Sequence, residues 1–224
     1  RCAFTRLVTM TAVRTAFGMQ RTDEELVALA TAGDSESFNQ LVGRWERQIY
    51  ALAYRVLGRE EEARDICQET FLRAFRGIKA FKRQAKFSSW LYRIALNLCR
   101  DWMRRKRRTA IMTPLDTDGE PSLPDLSVET AEARMVRRDL GRLMTEAMAT
   151  LSEEQRTTVV LKEYHGLTFQ EIADLQSSPL STVKTRLYQG LSRLRRQLQR
   201  KGVHGAAMIS AVPATSLMAR SHRK

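Results

Sequence analysis

The residues best suited to chemistry on a polyanion lie in Phe87–Arg108, FSSWLYRIALNLCRDWMRRKRR. Apolar side chains fall at Phe87, Trp90, Leu91, Ile94, Ala95, Leu98, Cys99 and Trp102, the spacing of one helical face. Ser88, Tyr92, Arg93, Asn97, Arg100 and Arg104 fall on the other side, and the run ends in the consecutive cations Arg104–Arg108. Cations hold phosphates, while aromatic rings stack on bases that have lost their partners. Such a face therefore suits DNA whose strands are being separated. Taken by itself, a solvated basic helix end accounts for the pattern equally well.

A second constellation follows Ser178-Pro179, where a helix predicted over Pro179–Arg200 turns Val183, Leu187, Leu191, Leu194 and Leu198 inward. Its first turns carry Ser181, Thr182, Lys184, Thr185 and Arg186. Short hydroxyls can reach base edges, and long cations can reach edges or phosphates. A short helix opened by Thr168 and Glu171 precedes it, and the pair reads as a helix-turn-helix.

The third candidate is acidic. A helix over Glu60–Ile78 has its apolar stripe at Ala63, Ile66, Cys67, Thr70, Phe71, Ala74, Phe75 and Ile78, leaving Asp65, Gln68, Glu69, Leu72 and Arg73 off it. Its carboxylates would repel DNA, so a partner for this face would be a protein; a solvated surface is the plainer account. A nuclease or recombinase reading would use Asp65 and Glu69 with Asp101 as a divalent-metal site. Asp101, however, lies among arginines, and the sequence offers neither a nucleophile–base pair nor a phosphate-cradling glycine loop. His165, His204 and His222 lack metal-ligand spacing. Cys2, Cys67 and Cys99 form no CxxC pair and read as reduced, mostly buried thiols. No catalytic residue, metal site or cofactor is expected.

These faces need elements to hold them, and the spacing predicts an all-α chain. Capping boxes at Thr22/Glu25, Ser152/Gln155 and Thr168/Glu171 open three helices. A further helix over Ser35–Leu57 is closed by Gly58, and another covers Glu132–Thr150. Lys79–Lys86, four cations around one Phe, is a short connection between helices. The chain is basic overall, 38 Lys and Arg against 25 Asp and Glu, but unevenly so. No acid follows Asp174, while Thr109–Ala133 holds six acids, three prolines and no cation. The expected organisation is a helical domain over 20–108, an acidic linker over 109–133 and a helix-turn-helix domain over 134–201. Residues 1–19 read as an extension outside the fold, with Met19 the favoured start, and 202–224 as a disordered basic tail. The longest weakly apolar run, Gly205–Ala219, is too short to span a membrane and contains Pro213, so no membrane insertion is expected.

Taken together, ARDICQETFLRAF (Ala63–Phe75), the Phe87–Arg108 run, Leu151–Tyr164 and LTFQEIADLQSSPLSTVKTRLYQGLSRLRRQL (Leu167–Leu198) resemble a sigma factor of bacterial RNA polymerase, of the extracytoplasmic-function (ECF) group. The likeness runs from about Glu24 to Arg200. It implies a cytoplasmic protein whose partners are core RNA polymerase and promoter DNA, and it admits an anti-sigma factor. It assigns core docking to Asp65, Gln68, Glu69 and Leu72. Recognition and melting of the minus-ten element would fall to Lys79, Lys82, Arg83, Tyr92, Arg93, Asn97, Arg100 and Arg104. Minus-thirty-five recognition would use Ser181, Thr182, Lys184, Thr185, Arg186, Tyr188 and Gln189. The chain departs from the family pattern at Gln176-Ser177-Ser178, where aliphatic residues around a Gly are usual; losing that Gly at a positive-φ turn costs about 1 kcal/mol. A helix-turn-helix regulator that never joins the polymerase is the competing function; it leaves the acidic face and the melting-type helix without a use.

Overall fold

The computed structural model describes residues 21–81, 86–110 and 131–202, and every regular element among them is helical. The N-terminal extension, Lys82 and Arg83, most of the acidic linker and the C-terminal tail lie outside the described residues.

Helices α1 (Asp23–Thr31), α2 (Ser35–Leu57), α3 (Glu60–Gly77) and α4 (Phe87–Ala110) form the first domain, with a 3-10 turn at Ile78–Ala80. At the head of α1 the Thr22 hydroxyl accepts from the Glu25 N–H, and the Glu25 carboxylate accepts from the Thr22 N–H at 2.8 Å. Two of the donors that every helix start leaves unpaired are thereby satisfied, a cap contributing about 1 kcal/mol. Gly58 closes α2 at φ 73°, a left-handed conformation that a Cβ would strain. Leu26, Leu41, Ile49, Leu52, Val56, Leu91 and Leu96 are fully buried between these helices.

The second domain contains α5 (Ala131–Ala149), α6 (Glu153–Val159), α7 (Phe169–Gln176) and α8 (Leu180–Arg200). The capping boxes of α6 and α7 are both formed. Helix α6 widens into a π turn at Val160–Tyr164 before Gly166, at φ 65°, turns the chain into α7. Helix α8 starts one residue later than expected, with Pro179 as its N-cap. Val159, Val160, Leu161, Ile172, Val183 and Leu198 make its core. Gly190 lets α8 approach α6 closely, since a Cβ there would sit 3.0 Å from the Val159 side chain.

The domains are not separate bodies. Helix α2 packs on α6 and the π turn, and α4 packs on α7, so one buried hydrophobic cluster runs through both.

Candidate nucleic-acid and partner interfaces

The outer side of α4 is where the structure departs most from expectation. Tyr92, expected on the open face, is only 5% exposed and lies beneath the second domain. Its hydroxyl is 3.1 Å from Nδ1 of His165, and its ring meets His165 and Trp45 edge-on. Burial raises the Tyr92 pKa well above the usual phenol range. Burial, aided by the charge of Arg55, pushes His165 down to about 3, so its imidazole is neutral. Its Nε2 is buried without a hydrogen-bond partner. Periodicity missed this placement because the covering residues come from another domain.

The cations beside Tyr92 are engaged too. Arg93 donates to the Asp174 carbonyl at 3.4 Å, and Arg100 to the Leu175 carbonyl at 3.3 Å. Both carbonyls belong to the last turn of α7, where acceptors lack intrahelical donors and the helix dipole is negative. The other arm of Arg100 donates to the exposed Asn97 side chain at 2.9 Å. Lys86 pairs with Glu171 at 3.2 Å and Arg107 with Glu153 at 3.1 Å. Two further arginines bridge the domains. Arg156 donates to the Val56 carbonyl at the end of α2 and to the Met148 and Ala149 carbonyls at the end of α5. The Arg55 guanidinium lies 4.4 Å from the centre of the Tyr164 ring. Lys79 and Arg104 are exposed, Arg104 within 3.7 Å of Asp101.

On α3, Asp65 and Gln68 are exposed while Glu69 and Leu72 are half-buried. Arg73 holds Glu69 at 2.7 Å, the usual i, i+4 arrangement. Phe75, expected in the core stripe, is instead 51% exposed, its ring edge-on to Phe38 at 5.1 Å. It extends the acidic face with an apolar end. Among the described residues no group of three or more His, Cys, Asp or Glu comes together as a metal site. Asp101 is close to Arg104, and Cys67 and Cys99 are buried thiols, each pushed up to about 12 by burial. Nor, among the described residues, is any helix long and apolar enough to cross a membrane.

The first turns of α8 behave differently from α4. Ser181, Lys184, Thr185, Tyr188 and Gln189 are exposed, with Thr182 half-buried. Tyr188 is 64% accessible, and Gln189 accepts from the Gln155 amide at 3.3 Å. Arg186 stands apart: half-buried, it turns back to the inter-helix turn, donating to Gln176 Oε1 at 2.9 Å and to Ser178 Oγ at 3.0 Å. Ser177, in the position where Gly is usual, adopts the left-handed conformation at φ 48°.

Residues 41–109 match the Sigma-70 region 2 family and residues 141–194 match Sigma-70, region 4. The chain is 36% identical over 171 residues to the ECF RNA polymerase sigma factor SigW of Bacillus subtilis, covering 75% of this chain and 91% of that one. Its structure is similar to that of CnrH in complex with the cytosolic domain of CnrY, with a TM-score of 0.58, 25% identity and coverage of 80% and 97% of the two chains. It also shares its fold with the sigma factor RpoE solved with the anti-sigma factor NepR from Bartonella quintana, with a TM-score of 0.60, 20% identity and coverage of 73% and 98%.

Proposed function

The chain belongs to the ECF sigma factors of bacterial RNA polymerase, and from that membership we propose how its surfaces divide the work of transcription initiation. As a sigma factor it joins core RNA polymerase and brings it to promoter DNA. It is a DNA-binding initiation factor, with no chemical step assigned to any of its residues, and it works in the cytoplasm, where promoter DNA and polymerase meet.

Core polymerase docks on α3 through Asp65, Gln68, Glu69 and Leu72, with Phe75 as an apolar anchor. An acidic face ending in a half-exposed aromatic, on an otherwise cationic protein, supports a protein partner here. The exposed row Ser181, Lys184, Thr185, Tyr188 and Gln189 on α8 reads the minus-thirty-five element from the major groove. The α4 face, together with Lys79, Lys82 and Arg83 of the connection that precedes it in sequence, takes the melted minus-ten strand.

One observation carries the mechanism: Arg93 and Arg100 already donate to carbonyl oxygens at the end of α7, and Tyr92 is buried against His165. The second domain thus fills the places that phosphates and an unstacked base would take. The two domains must part before α4 can receive DNA, whereas α8 can meet duplex DNA in the closed form. An anti-sigma factor would act by holding the domains together, a reading supported by the closed packing. The test is reconstitution with core polymerase on a promoter library. Permanganate reactivity of thymines follows opening, and mobility shift on duplex follows anchoring.

A further inference from the structure

Arg186 lies in the run of hydroxyl and basic residues at the start of α8, yet its side chain is directed elsewhere. Its guanidinium bridges Gln176 Oε1 at 2.9 Å and Ser178 Oγ at 3.0 Å. The Ser178 hydroxyl donates onward to the Gln176 backbone carbonyl at 3.1 Å. From the other end of the same side chain, the Gln176 amide donates to Thr158 Oγ1 at 2.9 Å. Thr158, fully buried, donates in turn to the Glu154 carbonyl at 2.6 Å. Donors and acceptors alternate along the whole path, which ties together α6, the end of α7, the turn and α8. The turn it spans contains Ser177 at φ 48°, a left-handed position without the glycine that would relieve it.

We propose that Arg186 and Gln176 are positioning residues, a polar strut that fixes the tilt of α8 against α6 and α7, and that Arg186 does not read DNA. This rests on the reading of α8 as the promoter-reading helix, and it reassigns one residue within that reading. The side chains left to meet DNA are those on the exposed side: Ser181, Lys184, Thr185, Tyr188 and Gln189. Both strut bonds leave from Nη1, so the end-on Nη1–Nη2 fork cannot pair with a guanine without breaking the strut. The strut also explains how a serine is held in the left-handed conformation: the groups on either side of it are fixed.

The experiment uses holoenzyme reconstituted with the full chain, a duplex library varied through the minus-thirty-five region, and binding measured across a salt series. Arg186→Ala and Gln176→Ala are each expected to weaken binding to every library member by a common factor. The double variant should be no weaker than Arg186→Ala alone, because both break one path. The slope of affinity against salt should stay at the wild-type value. Lys184→Ala, by contrast, should either flatten preference at one base pair or lower the slope by about 0.9, the signature of one lost phosphate contact. Preference lost at a single base pair in Arg186→Ala, a reduced salt slope, additive effects, or a silent Gln176→Ala would each overturn the assignment. Repeating the series in a Ser177→Gly background, where the turn no longer depends on the strut for its conformation, separates loss of folding from loss of helix placement. There the variants should melt like their parent yet still bind more weakly, and restored binding would reduce the strut to a folding device. A wild-type holoenzyme that selects nothing from the library would overturn the sigma-factor reading, and this assignment with it.

Discussion

Lowering the pH from about 7.5 to about 5.5 should shift the two domains towards the parted form, because His165 can take a proton only when they separate. In the closed form its ring is neutral, held down to about 3 by burial and by the nearby Arg55 charge. Free of the interface with the first domain it would return to its ordinary value of 6.5. The closed state therefore binds fewer protons than the parted state between these two values. Its advantage is fully present above 6.5 and is lost progressively as pH falls towards 3. One unit below the ordinary value, the parted state gains about tenfold, or ~1.4 kcal/mol. The Glu171 carboxylate at the interface does not cancel this. The Glu171 pKa lies below its ordinary value: burial raises it, but the Thr168 N–H and hydroxyl and the Lys86 ammonium prevail. Its bridge to Lys86 thus survives at that pH. When the binding-competent form is the minor one, apparent affinity scales with its population. Anisotropy of a labelled single strand carrying the minus-ten sequence should show about tenfold tighter binding at the lower pH. His165→Gln keeps a hydrogen-bonding group for Tyr92 and removes the titration, so it should show no such gain. Equal gains in the two proteins, or none in the wild type, would refute the closed-state account.

Three other perturbations probe separate parts of the molecule. Asp65→Lys with Glu69→Lys should lower affinity for core polymerase by tenfold or more while leaving the melting temperature within a few degrees, read by co-elution and by thermal denaturation; both side chains lie off the core. Gly190→Ala places a methyl 3.0 Å from Val159 and should destabilise the second domain by about 1–3 kcal/mol in urea unfolding, with duplex minus-thirty-five binding falling alongside. Thr168→Ala removes the cap of α7 and leaves the Glu171 N–H unpaired, which should cost about 0.5–2 kcal/mol by the same assay and loosen the carbonyl end that receives Arg93 and Arg100.

Much of the fold was legible because its signals are local. Each capping box at Thr22, Ser152 and Thr168 involves residues three apart, and all are formed. Gly58 closes α2 as its position implied. What could not be read was whatever depended on a second element. Tyr92 lies off the α4 stripe and is buried only because α7 and the π turn arrive from across the acidic connector. Leu96, also off the stripe, is buried to 1%, so the packed face of α4 is wider than the alternation of apolar residues implied. Phe75 keeps the stripe spacing but lies at the end of α3, where no helix among the described residues covers it. Arg186 and Gln176 stand ten positions apart, and only the turn's geometry brings them together with Thr158 of α6.

Transcription in vitro decides whether this chain directs core polymerase to promoters and helps to open them. Core polymerase alone and core polymerase with the full chain would be presented with a promoter library, and transcripts and permanganate-reactive thymines mapped. Transcripts are expected from a defined subset of templates only when the chain is present, with unpaired thymines confined to the minus-ten region of those templates. Co-elution with core polymerase but no template-specific transcript, or sequence-specific duplex binding that neither needs nor recruits the polymerase, would contradict it.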